Sequence, residues 1–355
     1  PVHDQLFLAQ KGHGAQLNDK PIEVNATIDL NKAKIITSKG HFNRTFENQK
    51  ERPRFYWRCS MAYRICLVAC GDVDATISLT PKSDWDIAFD ASSFGSSILI
   101  NSVTGTQLWV YPKGDTSSFS TIDTSGLSTW APLYNSDTSW SYGAFSLNQS
   151  GLDLGWGNYS TITHQVVGDS VYVIKLASGV YQKIWIQKLA SGTYTFRHAT
   201  LNNSMDMVHT IAKSSYSGKN FAYFSLQTHT ASDREPASTD WDLLFTQYTA
   251  FIPIPYTVSG VLNNYNTTVA KAYPVNNPTT YTSYSSHTFK TEINTIGYDW
   301  KSYQGSWVIA DSTVYFVKTQ TGDIWKMIFT DFGGSSNGDY IFSKEKLFSS
   351  GVEES

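Results

Sequence analysis

At 355 residues the chain exceeds what one hydrophobic core usually serves, so two domains are the starting expectation. Only 16% of residues are charged and the formal net charge is −3, a balance with no positive field to hold a nucleic-acid backbone. Aromatic residues reach 14%, which favours pleated, half-buried strands over helices, and no apolar run approaches the roughly 20 residues of a membrane-spanning helix.

In chain order, residues 1–16 read as an N-terminal extension that opens at Pro1 without a signal-peptide pattern, as in a mature, soluble polypeptide. Asn25-Ala26-Thr27-Ile28-Asp29-Leu30 reads as a strand. Residues 41–71 are atypical. They hold five of the seven arginines (Arg44, Arg52, Arg54, Arg58, Arg64) and all three cysteines (Cys59, Cys66, Cys70). That cysteine spacing matches no standard zinc pattern. The segment reads as an insertion, with a short helix over residues 56–69, or as a stretch translated from a shifted frame.

Asp84-Trp85-Asp86-Ile87-Ala88-Phe89 alternates acidic and large apolar residues, as on a half-buried strand, and Ile98-Leu99-Ile100-Asn101-Ser102 follows it. On such a strand Asp84 and Asp86, like Asp240 and Asp242 further on, would share a face as two glycosidase acids do, although pairs of this kind next to Trp are more often turn and edge residues. Trp130, Tyr134, Trp140, Tyr142 and Trp156 lie among Ser, Gly and Asn. There they either pack between sheets or stand exposed to stack on a flat ligand. His164 precedes a hairpin formed by Val171-Tyr172-Val173-Ile174-Lys175, Gly179 and Lys183, and Thr193-Tyr194-Thr195-Phe196 is the closing strand.

The same order then recurs. Phe221-Ala222-Tyr223-Phe224-Ser225-Leu226 precedes Asp240-Trp241-Asp242-Leu243-Leu244-Phe245, and His287 precedes Val314-Tyr315-Phe316-Val317-Lys318 with Gly322 and Lys326. Asp339-Tyr340-Ile341-Phe342 closes the set. The expected fold is mainly β, two related antiparallel modules with few helices. The first spans residues 17–199, a joint spans 200–211, the second spans 212–348 and a tail spans 349–355.

No Gly-x-Ser-x-Gly elbow, Gly-rich phosphate loop, His-Glu-x-x-His or helix-loop-helix calcium loop occurs; that absence does not exclude catalysis, and the expectation is a binding protein and not an enzyme. Its eight histidines are dispersed, and none forms a chelating pair by spacing. His198 and His209 bracket the joint that carries Met205 and Met207, and imidazole and thioether are both axial ligands for haem iron.

The Asp-Trp-Asp-Ile-Ala-Phe run, the Ile98–Ser102 stretch with Gly105, and the later Val-Tyr-Val-Ile-Lys hairpin resemble the HmuY-like family, haem-binding lipoproteins of Bacteroidota. The resemblance implies haem or porphyrin capture for iron acquisition, a secreted or outer-membrane surface location, and two loop-borne axial ligands. His164, His287, His198, His209, Met205 and Met207 are the candidates by residue type. An outer-membrane receptor is an implied partner. The alternative is a carbohydrate- or protein-binding surface module that uses exposed aromatic loops.

Overall fold

A computed structural model describes residues 82–146, 149–336 and 338–350, together with the backbone of six short strands nearer the N-terminus. The chain divides into two units, Pro1–Pro81 and Lys82–Ser355. The fold is mainly β, as the composition implies, and its helical pieces among the described residues are short 3-10 turns. No described helix is long and apolar enough to cross a membrane. The helix expected over residues 56–69 and the cysteines of the atypical segment lie outside the described residues.

In the first unit Phe7–Gln10, Gly14–Leu17 and Lys20–Ile22 form an antiparallel meander. Lys34–Ile36 pairs in parallel with both Arg54–Tyr56 and Ala75–Thr76. Parallel pairing requires a crossover between strands and was not foreseen from the sequence.

In the second unit the ten-residue strand Tyr181–Ala190 organises a seven-stranded sheet. On one edge it pairs with Tyr172–Lys175 and Gln165–Gly168, and on the other with Thr193–Thr200, which pairs in turn with Asp206–Ala212. A four-stranded sheet runs Thr230–Ser232, Phe221–Ser225, Ile87–Asp90, Ile98–Ile100. Side chains of both sheets share one core: Phe89 lies 4.9 Å from Tyr194 and 5.0 Å from Phe196, and Phe196 meets Phe224 edge-on at 5.0 Å. Burying each such ring contributes roughly 1.5–3 kcal/mol, the force that holds the two faces together without a covalent link.

Further along, Thr268–Ala272, Val314–Lys318, Ile324–Phe332 and Tyr340–Phe348 form a four-stranded antiparallel sheet, and Leu243–Phe251 pairs with Pro255–Asn263. The succession repeats that of Gln107–Val110, Tyr172–Lys175, Tyr181–Ala190 and Thr193–Thr200. The two Trp runs are also held alike. Asn101 Nδ2 donates to the carbonyls of Lys82 and Trp85, while its backbone N–H donates to Asp86. Asn264 Nδ2 donates to those of Ser238 and Trp241, while its backbone N–H donates to Asp242. Strand pairing also crosses the joint at residues 200–211: Phe221–Ser225 hydrogen-bonds to Ile87–Asp90.

The acidic pairs do not face one another. Asp84 precedes its strand and pairs with Arg234, whereas Asp86 is buried and accepts the Leu226 N–H at 2.8 Å. Asp242 accepts from Thr267 Oγ1 and the Gln320 N–H. Of the aromatics for which the sequence left packing and exposure open, Tyr142 is exposed and the three tryptophans pack or hydrogen-bond inward. Trp156 is fully buried and donates to the Ser96 carbonyl, Trp140 donates to that of Asn263, and Trp130 packs edge-on against Tyr111.

Candidate metal centre

Thr193–Thr200 alternates strictly enough to set Tyr194, Phe196 and His198 on the core face, with Thr195 and Arg197 on the other. The chain reverses at Asn203, whose φ is +61°, and returns as Asp206–Ala212. In that register Phe196 stands opposite His209 and His198 opposite Met207. Two histidines eleven positions apart are thereby brought onto one face of adjacent strands. His229 comes from elsewhere, the turn between Phe221–Ser225 and Thr230–Ser232, with φ at +58°. That left-handed conformation is one in which His is enriched among non-glycine residues.

The three imidazoles converge. Each offers one ring nitrogen such that all three lie within 4.8 Å of one another, and they form the one such group of His, Cys, Asp or Glu among the described residues. His198 Nε2 is 3.1 Å from His209 Nε2. His198 Nδ1 lies 2.8 Å from Gln182 Oε1, an oxygen that only accepts, so the ring proton sits on Nδ1 and the Nε2 lone pair faces His209. Outer partners of this kind orient metal-ligating histidines. Nδ1 of His229 is buried and has no hydrogen-bond partner, an uncompensated cost of about 1–3 kcal/mol unless something binds there. Phe196 and Phe224 wall the group, their rings 5.4 and 4.9 Å from that of His209.

Burial, reinforced by charge repulsion from His209 and His229, pushes His198 down to about 4. Burial and then His229 also lower His209. Near neutral pH both rings are thus uncharged, the form that binds a metal ion. The unfolded His198 titrates near 6.5, so its stabilising contribution is full above that pH and is lost as pH falls from 6.5 through 4. The shift corresponds to at most about 3 kcal/mol. Glu235, pushed up to about 7 by burial, has the opposite slope, because its contribution is present below 4.5 and lost as pH rises through 7. The comparison that isolates the histidine is therefore metal-free wild type against His198→Gln. The unfolding free-energy gap between them is expected to shrink steadily between pH 6.5 and pH 4, and a constant gap would contradict the assignment.

Of the other sequence candidates, His164 is exposed in a turn and shares a 2.8 Å hydrogen bond with Tyr159, and His287 shares one of 2.7 Å with Tyr281. Neither belongs to the cluster. Met205 and Met207 are half-buried on the returning strand or its approach. His229 was passed over in the sequence, because only the pairing of Phe221–Ser225 with Ile87–Asp90 brings its turn to the shared core.

Comparison with known proteins finds similarity in the N-terminal part. Residues 1–89 match the model of the inositol monophosphatase family. Inositol monophosphatase 3 of Solanum lycopersicum is 34% identical over 99 residues, 25% of this chain and 37% of the relative. Inositol monophosphatase 1 of the same plant is 34% identical over 98 residues, 25% of this chain and 36% of the relative. The chain thus spans little more than a third of these relatives. No solved structure matches it.

These matches overturn the HmuY-like resemblance and what it implied: haem as cofactor, iron acquisition, and a binding protein without catalysis, with its carbohydrate-binding alternative. The Trp run, the Ile98–Ser102 stretch and the Val-Tyr hairpin carried that resemblance; Ile87–Asp90, Ile98–Ile100 and Tyr172–Lys175 are antiparallel strands, and Trp85 lies in the loop before the first of them. His198 is fully buried, its ring 6.3 Å from Phe196, 6.4 Å from Phe224 and 5.1 Å from His209. The Arg- and Cys-rich residues 41–71 fall inside the matched stretch.

Proposed function

We propose that the unit beginning at Lys82 binds a transition-metal ion through His198, His209 and His229. One observation carries this reading: three ring nitrogens, from three separate strands and turns, lie within 4.8 Å in a partly buried apolar setting. Metal–nitrogen bonds of about 2.0–2.1 Å need only a small contraction of that group. Three neutral imidazoles suit zinc, copper, nickel or cobalt and are poor ligands for magnesium or calcium, which take oxygen. Titrating the metal-free chain with Co²⁺ while recording the visible ligand-field bands tests it. One equivalent bound at micromolar protein is expected, and the absence of any band, with no Zn²⁺ uptake by calorimetry, removes the proposal.

The match over residues 1–89 favours a second reading, in which this stretch is part of a phosphatase acting on inositol monophosphates. Its support is similarity in sequence over a third of the relatives' length. The assay is release of inorganic phosphate from myo-inositol monophosphate by the full chain with Mg²⁺ supplied, since hard cations bridge phosphate oxygens. Turnover above the blank is expected, and none with any positional isomer of the substrate ends the reading.

A further inference from the structure

Resting on the metal-binding reading above, we infer that the three-histidine site is built for copper in its monovalent state, with the Met207 thioether as a fourth ligand. Met207 stands directly opposite His198 in the register, and His209 is two positions further along the same strand. Burial along that strand alternates: Asp206, Val208 and Thr210 are exposed, while Met207 and His209 are half-buried and Ile211 is buried. Met207 therefore shares the face that carries both imidazoles. Directly opposed residues have Cβ atoms about 4.5–5.5 Å apart, a span the flexible methionine chain covers.

Charge decides between metals of similar geometry. Three neutral imidazoles and a thioether bring no negative charge, and the nearby acid, Asp206, is turned to the outer face and held by Arg197 Nε at 2.7 Å and Nη2 at 2.5 Å. Desolvation cost scales with the square of ionic charge, so a divalent ion pays about four times what a monovalent one does in the same apolar pocket. Thioether is also a soft donor that selects Cu(I) and adds little for zinc.

The experiment uses the full, metal-free chain with Cys59, Cys66 and Cys70 alkylated, under anaerobic reducing conditions, competing with bicinchoninate for Cu(I). Wild type should withdraw one equivalent and show a sulfur shell in copper X-ray absorption. Met207→Leu, close in volume, should lower Cu(I) affinity by at least about tenfold and lose the sulfur shell, with Zn²⁺ affinity held within about twofold. Zn²⁺ binding without Cu(I) binding, or wild-type copper with no sulfur neighbour, overturns this inference while leaving the metal centre standing. Binding of neither metal overturns both. The absorption measurement on wild type decides the matter even where Met207→Leu folds poorly.

Discussion

Replacing His198 by alanine is expected to weaken Co²⁺ or Zn²⁺ binding by roughly a hundredfold or more, beyond the 10–100-fold typical of losing an outer partner. The reason is positional. His198 is the fully buried member, its tautomer is fixed by Gln182 and its lone pair already faces His209. Without it the site keeps two nitrogens from separate elements and a cavity between Phe196 and Phe224. His209→Ala and His229→Ala should fall in the same range. His164→Ala and His287→Ala, whose rings are engaged with Tyr159 and Tyr281, should leave affinity unchanged. Equal losses from His164→Ala, measured by the same titration, would place the metal elsewhere.

The second large effect concerns stability. Trp300→Ala should cost about 3–5 kcal/mol of unfolding free energy in urea, the range for emptying a large aromatic site. Trp300 is 1% exposed, stacks on Phe329 at 3.9 Å and meets Phe332 edge-on at 5.6 Å. The Lys301 ammonium lies 4.2 Å over its ring, in a setting whose burial lowers the lysine to about 8. Its indole N–H has no partner, so Trp300→Phe keeps the stacking, removes an unsatisfied donor and should cost far less, under about 1.5 kcal/mol. A loss below about 1 kcal/mol for the alanine variant would mean the ring is not packed as described.

The repeating strands were legible because alternation leaves a direct trace in sequence: Val-Tyr-Val-Ile-Lys and Val-Tyr-Phe-Val-Lys became central strands with matching neighbours. His198 and His209 were legible as a pair flanking a turn. The third ligand was not, since His229 depends on strand pairing between residues more than a hundred positions apart and on a left-handed turn. Asp86 looked like half of a catalytic pair but is an acceptor for the Leu226 amide, a role that burial alone reveals. For Trp156 the small polar neighbours left packing and exposure open, and the fold decides for packing, with its indole N–H donated to the Ser96 carbonyl.

The paired clamps made by Asn101 and Asn264 give the chain an internal replicate. The same amide closes the same Trp loop twice, but Oδ1 of Asn101 has no partner while that of Asn264 accepts from Asn220 and Tyr265. The amide nitrogen does the same work in both loops, and only at Asn264 does the oxygen also fasten the loop to Asn220 and to the next residue along the chain. One side chain thus closes a loop with half of its amide and, at Asn264 but not at Asn101, anchors that loop to its surroundings with the other half.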